Sequence, residues 1–167
     1  MTDVVVRVAQ EDEWEAAGRI TVAAYLDDRY IDSHEGGYAD QLGDGARRAE
    51  EAELLVAVDE GNTLLGTVTV VRPGTPWSEV SRPGELEFRM LAVDSAARGR
   101  GVGEALVHAV IARARELGAE RVVMSSSEAM ASAHRLYGRL GFQRIPERDW
   151  RPVPEVKLMA FAFSLDL

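Results

Sequence analysis

Residues 85–117 read ELEFRMLAVDSAARGRGVGEALVHAVIARAREL, and this stretch decides the fold. Its first part, Leu86 to Val93, is mostly apolar and bounded by Pro83-Gly84 and Asp94-Ser95, which predicts a largely covered strand. Its last part predicts a helix that ends at Gly118. The apolar residues at helical spacing are Leu106, Val107, Val110, Ile111, Ala114 and Leu117. The glycine-rich turn between strand and helix therefore lies at a helix N-terminus.

This turn has the composition of an anion-binding loop. Its residues are Arg98, Gly99, Arg100, Gly101, Val102 and Gly103. The first backbone N–H groups of a helix have no intrahelical partner and carry about half a positive charge. Glycines let the backbone approach a ligand and arginines add charge, so the turn predicts a bound phosphate or pyrophosphate. Glu104-Ala105 exclude a Walker loop, and Glu104 or Leu106 stands where a dinucleotide fingerprint needs its last glycine.

Two motifs in the sequence resemble those of a known family. Arg98, Gly101 and Gly103 form R-x-x-G-x-G after the strand, and residues 133–142, AHRLYGRLGF, form A-x-x-L-Y-x-x-L-G-F. Together they resemble the motifs of the GCN5-related N-acetyltransferases (GNAT), whose pyrophosphate loop reads Q/R-x-x-G-x-G/A. The resemblance covers residues 85–142, and the first half of the chain agrees only in the order of its predicted elements.

The resemblance implies a fold and an activity. The fold is a mixed, mainly antiparallel α/β sheet flanked by helices, in a single domain over residues 1–167. The sheet is expected to splay between the Leu91 strand and the Arg121 strand, where acetyl-CoA enters. The activity is transfer of an acetyl group from acetyl-CoA to a primary amine, directly within a ternary complex.

The resemblance also implies which residues hold acetyl-CoA. Leu91, Ala92 and Val93 lie beside the pantetheine arm, the N–H of Leu91 polarises the thioester carbonyl, and residues 98–103 surround the pyrophosphate. Many relatives carry a cofactor-binding asparagine where Met130 stands here. Ser127 or a neighbouring serine, or the backbone alone, is expected to compensate.

Acetyl transfer to an amine needs a base for the amine proton and an acid for the departing thiolate. Glu87 is the candidate base, because burial inside an apolar strand raises the proton affinity of a carboxylate. The alternative is a structural ion pair with Arg89, and Glu85, whose pKa solvent would leave ordinary, is a weaker substitute. Tyr137 is the candidate acid by resemblance, whereas helical periodicity alone would place it in the core.

The composition restricts compartment and partners. The chain has 167 residues and no cysteine, which excludes disulfides and thiolate metal sites. Its net charge of −9 argues against a nucleic-acid surface. No apolar run suits a signal peptide or a membrane span, so we expect a cytoplasmic protein without a membrane partner. His34, His108 and His134 lack metal-ligand spacing, and His134 is expected to be solvated.

The remaining segments predict supporting elements. A polar segment at 26–45 includes a short helix near 38–42, and residues 59–62 join two strands as a hairpin. The loop at 72–84, with Trp77, either covers the acceptor site or packs locally. Further strands are expected at 4–9, 53–58, 64–71, 121–124, 142–145 and 156–165, with helices at 11–25 and, after a polar entry at Ser125–Glu128, up to Leu140.

The sequence does not decide which class of acceptor the protein uses. A small-molecule amine and a peptide both fit, and the acidic Asp27, Asp28 and Asp32 either steer a cationic acceptor or are simply solvated. One rival interpretation is a non-catalytic acyl-CoA-binding module that acts as a sensor. Another is a protein N-terminal or lysine acetyltransferase. The apolar strand at 156–165 fits a homodimer interface as well as a core.

Overall fold

The computed structural model describes residues 3–28, 31, 33, 36–152 and 159–167. Within them, seven strands form one sheet in the order β1-β2-β3-β4-β5-β7-β6. The strands are β1 (Val5–Val8), β2 (Glu53–Val58), β3 (Leu64–Val71), β4 (Glu85–Val93), β5 (Arg121–Ser127), β6 (Gln143–Arg144) and β7 (Ala160–Asp166). All neighbouring pairs are antiparallel except β4 and β5, which are parallel. This confirms the predicted mixed, mainly antiparallel sheet.

Helices cover both faces of the sheet. They are α1 (Trp14–Asp27), α2 (Gly37–Gly43), α3 (Gly45–Glu51), α4 (Val102–Glu116) and α5 (Ala131–Arg139). The side chains of β2 alternate between the two faces of the sheet. Leu55 and Ala57 pack with α4, whereas Leu54, Val56 and Val58 pack with α1 and α3. The sheet therefore has an α4/α5 face and an α1/α2/α3 face.

A β-bulge in β4 changes which side chains reach each face. Thr67 of β3 pairs with Ala92 and Thr69 pairs with Arg89, so one residue of β3 lies opposite two of β4. Met90, one of those two, has φ 59°, a left-handed conformation that costs about 1–2 kcal/mol in a non-glycine residue. As a result Arg89 and Met90 both face the α1/α2/α3 side.

Strands β4 and β5 separate just before this bulge. Their pairing runs only from Glu85–Arg121 to Glu87–Val123. Beyond Glu87, β5 continues to pair with β7 as far as Ser127, while the described residues provide no strand partner for that edge of β4. The split confirms the predicted splay between the Leu91 and Arg121 strands.

Most predicted elements are confirmed and some bounds change. The hairpin of β2 and β3 and the short helix near 38–42 are present. Helix α3 was missed, although Asp44 accepts a hydrogen bond from Arg47 N as its N-terminal cap. The predicted helix entry at Ser125–Glu128 is wrong, because the serines continue β5 and pair with β7. Strand β7 is paired on both edges, and residues 156–158 of the predicted last strand lie outside the described residues, as do Tyr30, Asp32 and His34.

A buried arginine ties the helices of the α1/α2/α3 face to the sheet. Arg48 of α3 is fully buried and donates to Thr69 Oγ1 at 2.9 Å and to the carbonyl of Leu42 at 2.6 Å. No carboxylate of a described residue lies within ion-pair distance of it, and burial lowers its pKa to about 10. A buried guanidinium without a counter-ion depends on such hydrogen bonds, which therefore fix α3 in place.

We expect Arg48→Met to lower the free energy of unfolding by about 2–4 kcal/mol, because it leaves a buried carbonyl and a buried hydroxyl without their donor. Chemical denaturation measures the change. Arg19→Met is the matched control, since Arg19 is exposed and, among the described residues, pairs only with Glu15 on the same helix. Equal stabilities of the two variants would show that the Arg48 hydrogen bonds contribute nothing measurable.

Candidate active site

The glycine-rich turn forms the N-terminus of α4. Gly101 is its N-cap with φ 77°, and Gly99 has φ 80°. The first intrahelical bond runs from Ala105 N to Gly101 O, so the N–H groups of Val102, Gly103 and Glu104 have no partner within the helix. Such a ring of free donors on a left-handed cap is the geometry that binds phosphate groups.

The arginines of the turn are held only by weak surface pairs. Arg98 lies 3.5 Å from Asp27 and Arg100 lies 3.4 Å from Asp3, and each of these four side chains is at least 40% exposed. Exposed pairs of this kind contribute little, so either arginine can exchange its partner for an anion. The turn therefore fits a phosphate or pyrophosphate group in both shape and charge.

The unpaired edge of β4 leads from this turn into the sheet. Leu91 and Val93 are half-buried and pack toward the α4/α5 face. An unpaired strand edge offers donors and acceptors to an extended amide chain such as pantetheine. Across the split, the Ser127 hydroxyl accepts from Ala129 N at 3.3 Å, so it caps a local turn and keeps its own proton for donation.

Tyr137 lies on the α4/α5 face of the split. Its side chain is 3% exposed and its ring packs within 6 Å of Phe88 of β4, Phe142 and Phe163 of β7. Burial raises the pKa of Tyr137 above its usual value. The phenol therefore stays protonated at neutral pH and is available as a donor beside the split.

Glu87 lies on the opposite face, where its carboxylate holds a loop. It is fully buried, and Oε1 accepts from the backbone N–H groups of Glu79, Val80 and Ser81 at 3.0–3.3 Å and from Ser81 Oγ at 2.8 Å. These donors leave Oε1 little capacity as a base, while Oε2 accepts a longer bond of 3.3 Å from Glu79 N. The structure thus gives Glu87 a role in loop anchoring, and its predicted role as general base stays untested.

The anchored loop brings a second carboxylate to the same face. Glu79 lies 3.0 Å from Arg89 Nε, and 24% of its side chain is exposed. Burial raises the pKa of Glu79 to about 7; the positive charge of Arg89 opposes this effect and the negative charge of Glu87 adds to it. Glu79 is therefore an accessible carboxylate that changes protonation state near neutral pH.

Trp77 and Tyr38 complete the surroundings of Arg89. Trp77 is 4% exposed, and the Arg89 guanidinium lies 5.6 Å from its ring centroid and donates to its carbonyl. Arg89 also donates to the Tyr38 hydroxyl at 3.4 Å. The local packing of Trp77 agrees with one of the two predicted alternatives for this loop, and coverage of the acceptor site stays a prediction.

Two expectations for titratable groups are wrong. Glu85 is 4% exposed rather than solvated, and although burial alone would raise its pKa, hydrogen bonds from Arg148, the Arg82 backbone and Arg121 hold the pKa below its ordinary value. His134 packs its ring 5.1 Å from that of Phe163, and burial lowers its pKa.

A cavity of about 370 Å³ lies beside Glu79. It is lined by Glu79, Val80, Ser81, Arg82, Arg148 and Trp150. In the described part of the chain, no cluster of three or more acidic or histidine side chains could hold a metal ion. Nor is any described helix both long and apolar enough to cross a membrane.

Comparison with known proteins assigns the family. The model of the acetyltransferase (GNAT) family matches residues 11–142. The chain belongs to this GNAT acetyltransferase family. An uncharacterised N-acetyltransferase of Schizosaccharomyces pombe is 29% identical over 87% of this chain and 86% of its own length. A mycothiol acetyltransferase of Salinispora tropica is 35% identical over 75% of this chain, which spans only 45% of that relative.

A solved structure of another protein shares the fold. The Salmonella typhimurium protein yncA, solved with its cofactor acetyl-CoA, has a TM-score of 0.71 and 23% identity, over 99% of this chain and 95% of that one. Because it belongs to this family, the protein is an acyltransferase.

Sequence reasoning missed Glu79, which the GNAT motifs do not include. The available signal was weak: an acidic residue in a loop with three prolines that precedes a strand carrying Glu87 and Arg89. Only the folded loop, held by its hydrogen bonds to Glu87, brings Glu79 to Arg89.

We expect Gly101→Val to weaken CoA binding at least about tenfold, because a β-branched residue resists φ 77° and so distorts the donor ring. Calorimetric titration with CoA measures this. Gly118→Val is the matched control: Gly118 has φ 73° beyond the other end of α4, with open space where a side-chain carbon would stand. If both variants bind CoA alike, the turn is not the pyrophosphate site.

Proposed function

We propose that this GNAT acyltransferase transfers the acetyl group of acetyl-CoA to a primary amine directly, within a ternary complex. The observation that carries the proposal is the split between β4 and β5, which has an anion-binding turn and Tyr137 on one face and Glu79 on the other. A donor threaded from the turn and an acceptor entering from the Glu79 side would meet inside the split.

Binding of the acetyl donor rests on three groups of this chain. The turn at 98–103 would hold the pyrophosphate, and the open edge of β4 at Leu91, Ala92 and Val93 would pair with the pantetheine amides, with Ser127 as a further donor. Acetyl-CoA supplies the activated thioester. The N–H of Leu91 is assigned to its carbonyl oxygen, where developing negative charge needs a fixed donor.

The acceptor arrives as an ammonium and must lose a proton before it can attack. We assign this proton to Glu79, because it is accessible, lies on the acceptor face and titrates near neutral pH. Glu87 acts on this step as a positioning residue, since its carboxylate holds the backbone of Glu79.

Tyr137 completes the proton balance from the other face. As the new N–C bond forms, the C–S bond breaks with its electron pair on sulfur, and Tyr137 gives its proton to that sulfur. The nitrogen then loses its second proton, and this proton returns the Tyr137 phenolate to its neutral form. No covalent acyl-enzyme is required, and the chain has no cysteine to form one by the usual route.

The rival functions separate in one assay of thiol release from acetyl-CoA with panels of amines, amino acids and peptides. Release that depends on a small amine supports the proposal. Release only with peptides or proteins favours a protein acetyltransferase. Tight CoA binding without release for any acceptor favours the non-catalytic sensor and contradicts the proposal.

We expect Tyr137→Phe to lower kcat by about 100-fold or more while CoA binding by calorimetry changes less than about twofold, since the ring packing is kept and only the proton is lost. Phe142→Leu is a control for the packing of the same aromatic cluster. A Tyr137→Phe enzyme with unchanged kcat would remove Tyr137 from the mechanism.

The pH dependence distinguishes the two carboxylates. Because only ionised Glu79 accepts a proton, kcat/KM should rise with pH to a plateau through a midpoint near 7. The charged groups facing Glu79 are Arg89 and Glu87 in contact with it and Arg82 and Arg148 on the wall of the same cavity. In Glu79→Gln the rise of kcat/KM with pH should disappear and the rate should fall at least about tenfold. Glu87→Gln should keep this rise but lower the free energy of unfolding. The reverse pattern would make Glu87 the base.

A further inference from the structure

The cavity beside Glu79 is unusual for its charge. The protein has a net charge of −9. The charged residues on the cavity wall, or directly bonded to it, are Arg82, Arg89 and Arg148 against Glu79, Glu85 and Glu87. These charges balance while Glu79 is ionised, and protonation of Glu79 leaves one positive charge in excess.

Most of these arginines are already neutralised. Arg89 pairs with Glu79, while Arg148 donates to both oxygens of Glu85 at 2.7 and 3.0 Å and Arg121 adds a third bond at 3.1 Å. Arg148 lines the cavity, but its charge is committed to Glu85. Its side chain is only 13% exposed.

Arg82 is different. It is exposed at the cavity wall, and its guanidinium makes no hydrogen bond or ion pair to another described residue. Its backbone N–H is bonded to Glu85 Oε1 at 2.8 Å, so the chain at this residue is fixed while the side chain is free. Arg82 is therefore the one guanidinium of this set that is not committed to a carboxylate, so it can bind a ligand.

The cavity lies between residues connected to β4 and residues connected to β5, the two strands that separate. Glu79 is bonded to Arg89 of β4, and Trp150 is bridged to Ala160, which pairs with Ser127 at the end of β5. Arg148 reaches across to the carbonyl of Val80 at 3.4 Å. A ligand in the cavity thus lies over the split on the acceptor face, and about 370 Å³ suits a small molecule rather than a folded protein segment.

From this arrangement we infer that the acceptor is a free α-amino acid, with its amine at Glu79 and its carboxylate at Arg82. A planar guanidinium binds a carboxylate through two parallel hydrogen bonds, and a single free guanidinium matches one such group. Trp150 and Val80 provide apolar wall for the side chain. The inference rests on the proposed function and names the substrate class of that same site.

An amino-acid acceptor differs from the purely cationic acceptor that the acidic residues of the chain suggest. It also differs from a peptide N-terminus, because a peptide has an amide where the amino acid has its carboxylate. With a peptide bound, the exposed Arg82 stays hydrated, and the complex lacks the two charged hydrogen bonds that a free carboxylate would make.

The test compares matched acceptors with the wild-type chain. Each amino acid is assayed beside its amide and its decarboxylated amine, with acetyl-CoA at saturation and thiol release as the readout. We expect kcat/KM for the best amino acid to exceed that of its amide and amine at least about tenfold. Equal values within such a triad would overturn the inference while leaving the N-acetyltransferase proposal intact.

Substitution of Arg82 gives the second arm. Arg82→Met should raise KM for the amino acid at least about tenfold and leave the rates with the amide and amine unchanged, while Arg82→Lys retains part of the affinity. Arg72→Met is the matched control, because Arg72 begins the same loop but pairs with Glu53. An Arg82→Met enzyme with unchanged KM for the amino acid would refute the assignment, and absence of release with every acceptor would instead contradict the proposed function.

Discussion

The site depends on one constraint, the bulge of β4 at Met90. A regular strand would alternate its side chains without interruption, so Arg89 and Met90 would face opposite sides. The left-handed Met90 places both on the acceptor face and moves Leu91 and Val93 onto the side that carries Phe88 and α4. The free-energy cost of that backbone conformation is offset by packing of Met90 against Val22, Leu42, Val71 and Trp77.

The second element of the site is a carboxylate that organises a loop. In a buried environment, Glu87 needs donors, and the backbone of residues 79–81 supplies them. The loop in turn needs a fixed conformation to hold Glu79 beside Arg89. One set of hydrogen bonds thus satisfies a buried charge and positions a titratable group, and neither strand nor loop would have this geometry alone.

The sequence predicts the cofactor side of this molecule better than the acceptor side. The turn at 98–103 and the strand before it are local features, because glycine spacing and apolar periodicity act within a few residues. The acceptor side is built from contacts between distant residues: Arg148 reaches Glu85 across 63 positions, and Arg48 reaches Thr69 across 21. Glu87 was chosen correctly as a buried strand carboxylate, but the partners that decide its chemistry lie in a loop without a recognisable pattern. The serines of β5 were misassigned for a similar reason, since pairing with β7 overrides their preference for a helix entry.

Burial acts on the proposed acid and base in ways that suit their separate tasks. Desolvation raises the pKa of Glu79 to about 7, which keeps it a usable base without making it permanently protonated. Desolvation also raises the pKa of Tyr137, which by itself would make it a poorer acid toward a thiolate whose ordinary pKa is about 8.5. The same dry surroundings raise the proton affinity of the departing thiolate, however, so the mismatch is smaller in the split than in water. A thiolate leaving beside Phe88, Phe142 and Phe163 has little water to stabilise it, and a hydrogen bond from Tyr137 is then worth more than it would be at the surface. In the proposed mechanism, the aromatic cluster that makes Tyr137 look like an ordinary core residue is thus also what makes its hydroxyl useful to the departing thiolate.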